Sequence, residues 1–572
     1  MTRWEVAARA DSAFLDAMQA AGFDAVVAQT LFARGFATPE AALAWLDPTP
    51  GGKPVDPFAL TDLPLAVERI LGAIDADEPI VVYGDYDCDG VTACALMHHT
   101  LHALGARFSV YIPNRFEEGY GLNARALEEL AANGARLVIA VDCGARAFRE
   151  ANRARELGLD LIITDHHDLD LGGLPAALAV VNPKRGGAYG FDALAGVGVA
   201  FRLAQGLLRT RKAAGRPAPL AESALIDLVA IGTVADVVPL VGENRALVRA
   251  GLAAINRGPR LGVSALMKAA HIQPGKVDAQ AIGFALGPRL NAAGRLESAR
   301  AAYELLVTDN AIWADELATT LNHRNEQRQT LTAEMARRAL ELAGEGAVAF
   351  AADPTFNAGV IGLAAARLAE KHFRPSIVCA VSEGEVRGSC RSIPGFDITA
   401  ALDACRDLLL RHGGHAAAAG FTTTPDRVEA LHARLEALAQ AARPTEGWER
   451  VIRADGEFPL AEINWRTLTQ LRQLEPHGAG NPRPTLVVRG ARKGSVDRIG
   501  KSAEGEGPPH LKLRLRDGWG ASWEALGWRM GERAAEAAAC EHLDLAFHLD
   551  VNEWNGEQRL QLILQDFRPA QT

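Results

Sequence analysis

Asp85, Asp87 and Asp89 occupy every second position in the stretch VVYGDYDCDGVTA, directly after the apolar run Ile80 to Val82. Three carboxylates spaced this closely repel one another once the chain folds, and nothing offsets the repulsion unless a cation sits among them. DYDCDG opens like a calcium loop of the EF-hand type, which requires Glu at its twelfth position and a helix in front. Here the twelfth position is Leu96 and the preceding segment reads as a strand, so that loop is excluded. A polar turn with Asx hydrogen bonds explains one or two such Asp, not three in alternation.

Other apolar runs end in the same way. RLVIAVDCG places Asp142 after one, LDLIITDHHD places Asp165, His166 and His167 after another, and ALIDLVAIGTVADVVPL adds Asp236. In open parallel sheets, ligands bind at the carboxyl ends of the strands. Carboxylates with one or two imidazoles suit Mn2+ or Mg2+, and the His nitrogen favours Mn2+. The groups suffice for two divalent cations, a recurring device for cleaving phosphoesters.

The elements that must position these side chains alternate. EPIVVYG, RFSVYIP, RLVIAVD, LDLIITD and ALAVVNP read as strands, separated by amphipathic helices such as VTACALMHHTLHAL and NARALEELAAN. This pattern predicts an α/β fold with a parallel, doubly wound sheet. The domain organisation expected is a helical segment over 1–60, the α/β domain over 61–299, a long connecting helix over 300–345, a second α/β domain over 346–445, and a small β-barrel over 446–572. Trp523, Trp528, Phe547, Trp554 and Phe567 fall in or near the barrel strands, where aromatics either stack bases or fill the core.

At 572 residues the chain is too long for one core. A net charge of −10 argues against a uniformly basic coat for nucleic acid, so any polyanion site is a local patch. The seven cysteines include no CxxC pair, which argues against a zinc ribbon or iron–sulfur site and points to reduced thiols. No signal-peptide core and no apolar run of the roughly 18 residues that a membrane span needs are evident. A soluble, cytoplasmic protein without a membrane partner is the expectation.

DYDCDG, VDCG, TDHHD and GTVADVVPL, in that order, resemble the DHH phosphoesterase superfamily. DPFALTDLPLAVERI before them, and IPNRFEEGYGLN, ALAGVGVAF, GPRLNAAGRLESA, GSCRSIPGFDI, GGHAAAAGF and EPHGAGNPRPTL, resemble its bacterial RecJ family over roughly residues 30–490. The resemblance implies a DHH catalytic domain, a DHH-associated domain and a terminal barrel of the oligonucleotide-binding (OB) type. It further implies an exonuclease that degrades single-stranded DNA from a 5′ end with two divalent cations, Mn2+ or Mg2+, in DNA repair and recombination. Single-strand binding protein and a helicase are the implied protein partners.

Carried over by motif, Asp87, Asp89, Asp142, His166 and Asp236 are implied metal ligands, and Asp85 is either a ligand or lies just behind one. Asp165 is implied to orient an imidazole, and His167 to touch the scissile phosphate or protonate the leaving 3′ oxygen. Ser389, Arg391, Gly414 and His415 resemble the family's substrate-binding groups, with Arg115 and Arg295 as further phosphate contacts. Arg forks grip phosphate bidentately, and Gly-rich turns let backbone N–H groups approach it. Tyr83 stands where many relatives have His, and Asn357 in FNAGVIG where Trp-His precedes the Gly, so contacts at both places differ. Two other readings stay open. One is a superfamily phosphodiesterase acting on short oligonucleotides or cyclic dinucleotides. The other is a non-catalytic scaffold that binds single-stranded DNA.

Overall fold

Ile80–Tyr83 and Leu137–Val141 are short apolar runs, buried along their whole length, and they form the centre of a five-stranded parallel sheet. The strand order is Phe108–Tyr111, Ile80–Tyr83, Leu137–Val141, Asp160–Thr164, Ala179–Val181. Burial on both faces is why these strands read as unbroken apolar runs. Helices Leu63–Asp75, Cys88–Ala103 and Gly196–Ala213 contribute to the core on one face, and Ala124–Ala132 with Phe148–Glu156 to the core on the other. The doubly wound α/β architecture expected from the alternation is therefore present. Register pairs Tyr83 with Ala140, Val141 with Thr164 and Thr164 with Val181, so neighbouring carboxyl ends stand nearly level.

A computed structural model describes residues 2–47, 55–114, 118–119, 121–170, 172–296, 298–500, 509–516, 520–554 and 556–570. The chain divides into two compact units, Pro54–Trp448 and the paired segments Met1–Lys53 and Glu449–Thr572.

In the first unit the helix expected over 300–345 is two helices, Arg300–Val307 and Ala311–Leu342. Thr308 is extended, and the Asn310 side chain accepts from the N–H groups of Ile312 and Trp313, which starts the longer helix afresh. Beyond it lies a second sheet, ordered Arg411–His415, Ala418–Thr423, Glu385–Arg391, Ser376–Ser382, Ala349–Asp353. Helices Ile361–His372 and Val428–Ala442 supply apolar residues to two separate cores beside this sheet.

In the second unit five strands close a barrel in the order Leu486–Ile499, His510–Arg516, Ser522–Gly527, Glu557–Pro569 and His542–Trp554, the last pairing back to the first. This is the OB-type barrel expected from the short strands. The N-terminal segment, expected to be helical, begins with the strand Thr2–Val6, which pairs in parallel with Arg450–Ala454. Its helices Ser12–Ala20 and Ala25–Ala33 pack Phe14, Met18, Val27 and Leu31 into one core with Leu471 and Phe547. Phe547 and Phe567 are fully buried, so they fill the core rather than stack bases, whereas Trp528 and Trp554 are exposed. Among the described residues no helix is long and apolar enough to cross a membrane.

Candidate metal centre

Each acidic side chain is set by a backbone feature next to it. Helix Cys88–Ala103 starts just past the strand Ile80–Tyr83, and Asp87 caps it, accepting from the N–H groups of Asp89 (3.0 Å) and Gly90 (3.1 Å). The Cys88 N–H donates to Asn291 Oδ1 at 2.7 Å, which ties this loop to helix Gly287–Leu296. Asp89 accepts from Gly196 N–H (2.6 Å) and Val197 N–H (2.9 Å), the first turn of helix Gly196–Ala213, so its charge sits at a positive helix end. Asp142 follows its strand with φ of 60°, a left-handed conformation that Asp tolerates better than most residues. Asp236 ends helix Ile226–Ala235, where the helix dipole disfavours a carboxylate.

Small residues permit the crowding. A Cβ on Gly90 would lie 2.7 Å from the Asp85 carbonyl oxygen, one on Gly196 2.3 Å from Asp142 Oδ1, and one on Gly232 2.7 Å from Asp89 Oδ1. Any side chain at these positions displaces a carboxylate.

The side chains converge on His166. Its Nε2 lies 3.3 Å from Asp142 Oδ1, 3.5 Å from Asp236 Oδ2 and 3.9 Å from Asp89 Oδ2. Asp89, His166 and Asp236 offer ligand atoms within 4.8 Å of one another, and so do Asp85, Asp87 and Asp142. Asp142 therefore adjoins both groups. Asp142 Oδ1 and His166 Nε2 are buried and face each other without a hydrogen-bond partner. Buried polar atoms are rarely left so, and a cation between them satisfies both lone pairs. Five carboxylates and an imidazole nitrogen fit Mn2+ or Mg2+.

Asp165, His167, His166 and Asp142 form a further group within the same 4.8 Å limit, but Asp165 is already engaged. Its Oδ1 accepts from His166 N–H (2.7 Å), His167 N–H (3.1 Å) and His167 Nδ1 (2.7 Å), and its Oδ2 from Ala145 N–H (2.7 Å). The imidazole it orients is thus that of His167.

The electrostatics are those of a cage built for positive charge. Burial, reinforced by the Asp87 charge, pushes the Asp89 carboxyl up to about 7. Burial and the charges of Asp89 and Asp87 push Asp236 up to about 9, and Asp142 is raised well above the usual carboxylate range for the same reasons. Burial and the neighbouring His167 charge push His166 down to about 4. Burial also pushes Asp165 up, but the hydrogen bond and charge of His167 outweigh it and leave that carboxyl below the ordinary range.

These shifts make a prediction for chelated protein. A carboxyl whose folded pKa is raised holds a proton that the unfolded chain has released, so stability falls as pH climbs toward the folded pKa. Between pH 7 and 9 the melting temperature in chelator should fall, mainly through Asp236 and Asp142. Mn2+ should raise it, and more at pH 9 than at pH 7. Thermal melts at both pH values decide this; a chelated protein that gains stability from pH 7 to 9 contradicts it.

A cleft of about 610 Å3 opens from the cluster, lined by Asp85 and Asp87, by Arg295, and by Ser389 and Arg391 on strand Glu385–Arg391. Arg391 Nη1 donates to Ser389 Oγ (3.3 Å) and the Cys390 carbonyl (2.8 Å). A Cβ on Gly362 would come 3.0 Å from Arg391 Nη2. Burial pushes the Arg391 guanidinium below its ordinary value, and among the described residues no carboxylate pairs with it. Gly414 and His415 line a different cavity of about 330 Å3, together with His167 and Asp168. His415 Nδ1 lies 3.7 Å from Asp168 Oδ2. Arg115 lies outside the described residues.

Sequence reasoning missed Arg387 and Arg411, which also line the larger cleft, and Asn291, which braces the metal loop. Arg387 shares the two-residue period of Ser389 and Arg391, a signal that could have found it. Tyr83 is buried in an apolar core, its hydroxyl donating to the Gly121 carbonyl at 3.2 Å. Asn357 accepts from Gly359 N–H at 2.8 Å and shapes a turn.

Comparison with known proteins agrees with this architecture. The DHH family N-terminal domain matches residues 79–233, the DHHA1 domain residues 344–441, and the RecJ OB domain residues 454–566. Single-stranded-DNA-specific exonuclease RecJ of Bacillus subtilis is 37% identical over 95% of this chain and 67% of its own length. The Dickeya dadantii protein of the same name is 36% identical over 88% of this chain and 90% of its own length. The crystal structure of RecJ in complex with Mn2+ from Thermus thermophilus superposes with a TM-score of 0.85 at 32% identity, covering 100% of this chain and 80% of that one. An identity above one third along nearly the whole of a relative, with all three domains in the same order, has one meaning: the chain belongs to the RecJ family of single-stranded-DNA-specific exonucleases.

Proposed function

We propose that this protein hydrolyses the phosphodiester bonds of single-stranded DNA one nucleotide at a time from the 5′ end, as a metal-dependent exonuclease in DNA repair and recombination. The observation that carries the reading is the pair of buried, partnerless atoms, Asp142 Oδ1 and His166 Nε2, at the meeting point of two acidic groups. Asp89, His166 and Asp236 would hold one cation and Asp85, Asp87 and Asp142 a second, with Asp142 adjoining both groups. Mn2+ is favoured and Mg2+ suffices; the Mn2+ in the solved Thermus thermophilus relative supports this. Once bound, the cations polarise the scissile phosphate and supply a nucleophile at neutral pH.

The chain's own groups do the rest. Asp165 fixes the His167 ring through Nδ1, which leaves Nε2 as the proton site for the scissile phosphate or the leaving 3′ oxygen. Ser389 and Arg391 take the terminal 5′ phosphate, and this capture at one end sets polarity. Arg295 adds charge to the same wall, Gly414 and His415 line the space beside His167, and Arg115 is a further phosphate contact. Single-strand binding protein and a helicase are the protein partners, and the cytoplasm is the place of action.

The test is digestion of strands labelled at either end, with and without a 5′ phosphate, in Mn2+ and in chelator. A 5′ label should be released first as mononucleotide, a 3′ label last, and chelator should stop both. Preference for a dinucleotide over a long strand would favour the short-oligonucleotide phosphodiesterase. Binding without turnover would favour the scaffold.

A further inference from the structure

Strand register lays out the floor of the larger cleft row by row. Arg387 pairs with Thr422 and Thr422 with Arg411, so these three side chains share one face of the second sheet. Two residues along, Ser389, Gly420 and Gly413 form the next row, and Arg391 opens the row after that. Arg387, Arg411, Ser389 and Arg391 all line the cleft. Between its two basic rows the sheet is nearly bare. A Cβ on Gly413 would meet nothing within 4 Å, and one on Gly420 only the Gly388 carbonyl at 3.5 Å. Successive rows lie two residues apart, ~6.8 Å along the strand.

Both outer arginines are braced at Nε. Arg387 Nε donates to Glu385 Oε1 at 2.6 Å, and Arg411 Nε to Thr422 Oγ1 at 3.0 Å. Bracing there leaves Nη donors to grip a ligand. Arg411 Nη2 lies 3.8 Å from Glu385 Oε1, so one carboxylate serves two guanidinium groups and the row keeps excess positive charge. The hydrogen bond from Arg387 holds that carboxyl below its ordinary range. At the other end of the trough a Cβ on Gly362 would lie 3.0 Å from Arg391 Nη2 and 3.1 Å from Ser389 Oγ. The positive first turn of helix Ile361–His372 thus abuts this pair. A terminal monophosphate on Ser389 and Arg391 fills only that end. Two further phosphates, linked by anhydride bonds, would lie along the glycines and bring the last group to Arg387 and Arg411.

We propose that Arg387 and Arg411 form a subsite for the outer phosphates of a 5′-triphosphorylated strand. The subsite rests on the nuclease reading given above. Water attacks the phosphorus that joins the first and second nucleotides. The bond from that phosphorus to the 3′ oxygen of the first nucleotide breaks, and one proton of the water ends on this oxygen. No anhydride bond is broken. The first product is a nucleoside 5′-triphosphate, and the shortened strand carries a 5′ monophosphate.

The test uses the full chain in Mn2+ with two 20-mers of thymidylate, one 5′-triphosphorylated with its γ-phosphate labelled and one 5′-monophosphorylated. The parent should release the γ label as nucleoside triphosphate, with a KM for the triphosphorylated strand at or below that for the other. Arg387→Gln combined with Arg411→Gln should raise the KM of the triphosphorylated strand about 10-fold relative to the monophosphorylated one, the loss expected for hydrogen bonds to a charged group. Arg387→Lys combined with Arg411→Lys should keep most of the preference, since the charge remains. Three results would each overturn the subsite. They are label released as phosphate or pyrophosphate, a triphosphorylated strand left uncut while the other is degraded, and a KM ratio that the double Gln variant leaves unchanged. A parent that degrades neither strand would instead overturn the nuclease reading.

Discussion

Asp142→Ala should reduce the rate of single-strand digestion by on the order of 10³-fold or more, while binding of the strand in chelator stays near that of the parent. Asp142 adjoins both acidic groups, so its loss should deprive both of the cation positions proposed above. The DNA contacts proposed above fall on other residues of the cleft, Ser389, Arg391 and Arg295. The substitution also carries a stability signature. Asp142 is buried among Asp89, Asp87 and Asp236, and its charge is disfavoured there. Without metal the variant should melt higher than the parent, and Mn2+ should no longer raise the melting temperature. His166→Ala should silence digestion similarly. Single-turnover digestion, anisotropy and thermal melts read the three effects. Normal turnover by either variant would show that these residues do not hold the catalytic cations.

Deleting Glu449–Thr572 alone should destroy solubility, whereas deleting that segment together with Met1–Lys53 should leave a folded, active unit. Phe14, Met18, Val27 and Leu31 share a core with the barrel residues, and stripping that partner exposes them. At about 1.5–3 kcal/mol for each large apolar side chain, four such residues amount to about 6–12 kcal/mol, comparable to the ~5–15 kcal/mol that stabilises a typical domain. A chain of residues 1–448 should therefore aggregate or be trimmed by protease within its first 50 residues. A chain of residues 55–448 should stay monodisperse, cleave a dinucleotide at the parent rate and bind long strands at least about 10-fold more weakly, as the loss of a strand-binding OB barrel would require. Limited proteolysis with mass analysis and paired affinity measurements check this. Equal loss of dinucleotide cleavage and long-strand binding would refute the division of labour.

The positions of Asp85, Asp142 and Asp165 were readable from sequence because buried parallel strands announce themselves as unbroken apolar runs, and the next polar residue marks the ligand edge. Asp236 was found without its element. ALIDLVAIGTVADVVPL is apolar on every side of a buried helix, so periodicity could not reveal the helix Ile226–Ala235. Spacing could not distinguish which imidazole Asp165 holds, because both histidines follow it directly, and only the folded loop puts Nδ1 of His167 on its Oδ1. Gly414 and His415 line a separate cavity because their strand, Arg411–His415, runs on past the larger cleft, which it borders only as far as Gly413, a placement that composition does not carry. The pairing of Thr2–Val6 with Arg450–Ala454 left no local trace, since a five-residue strand carries too little pattern to name a partner so distant.

That distant pairing bears on how the protein is made. Residues 2–47 leave the ribosome before the whole of Pro54–Trp448 and wait for the strand Arg450–Ala454. At about 5–20 residues per second the delay is roughly 20–80 s. For that interval the apolar faces of Phe14, Met18, Val27 and Leu31 hang from the ribosome without the barrel core that covers them in the finished fold, a nascent surface open to aggregation.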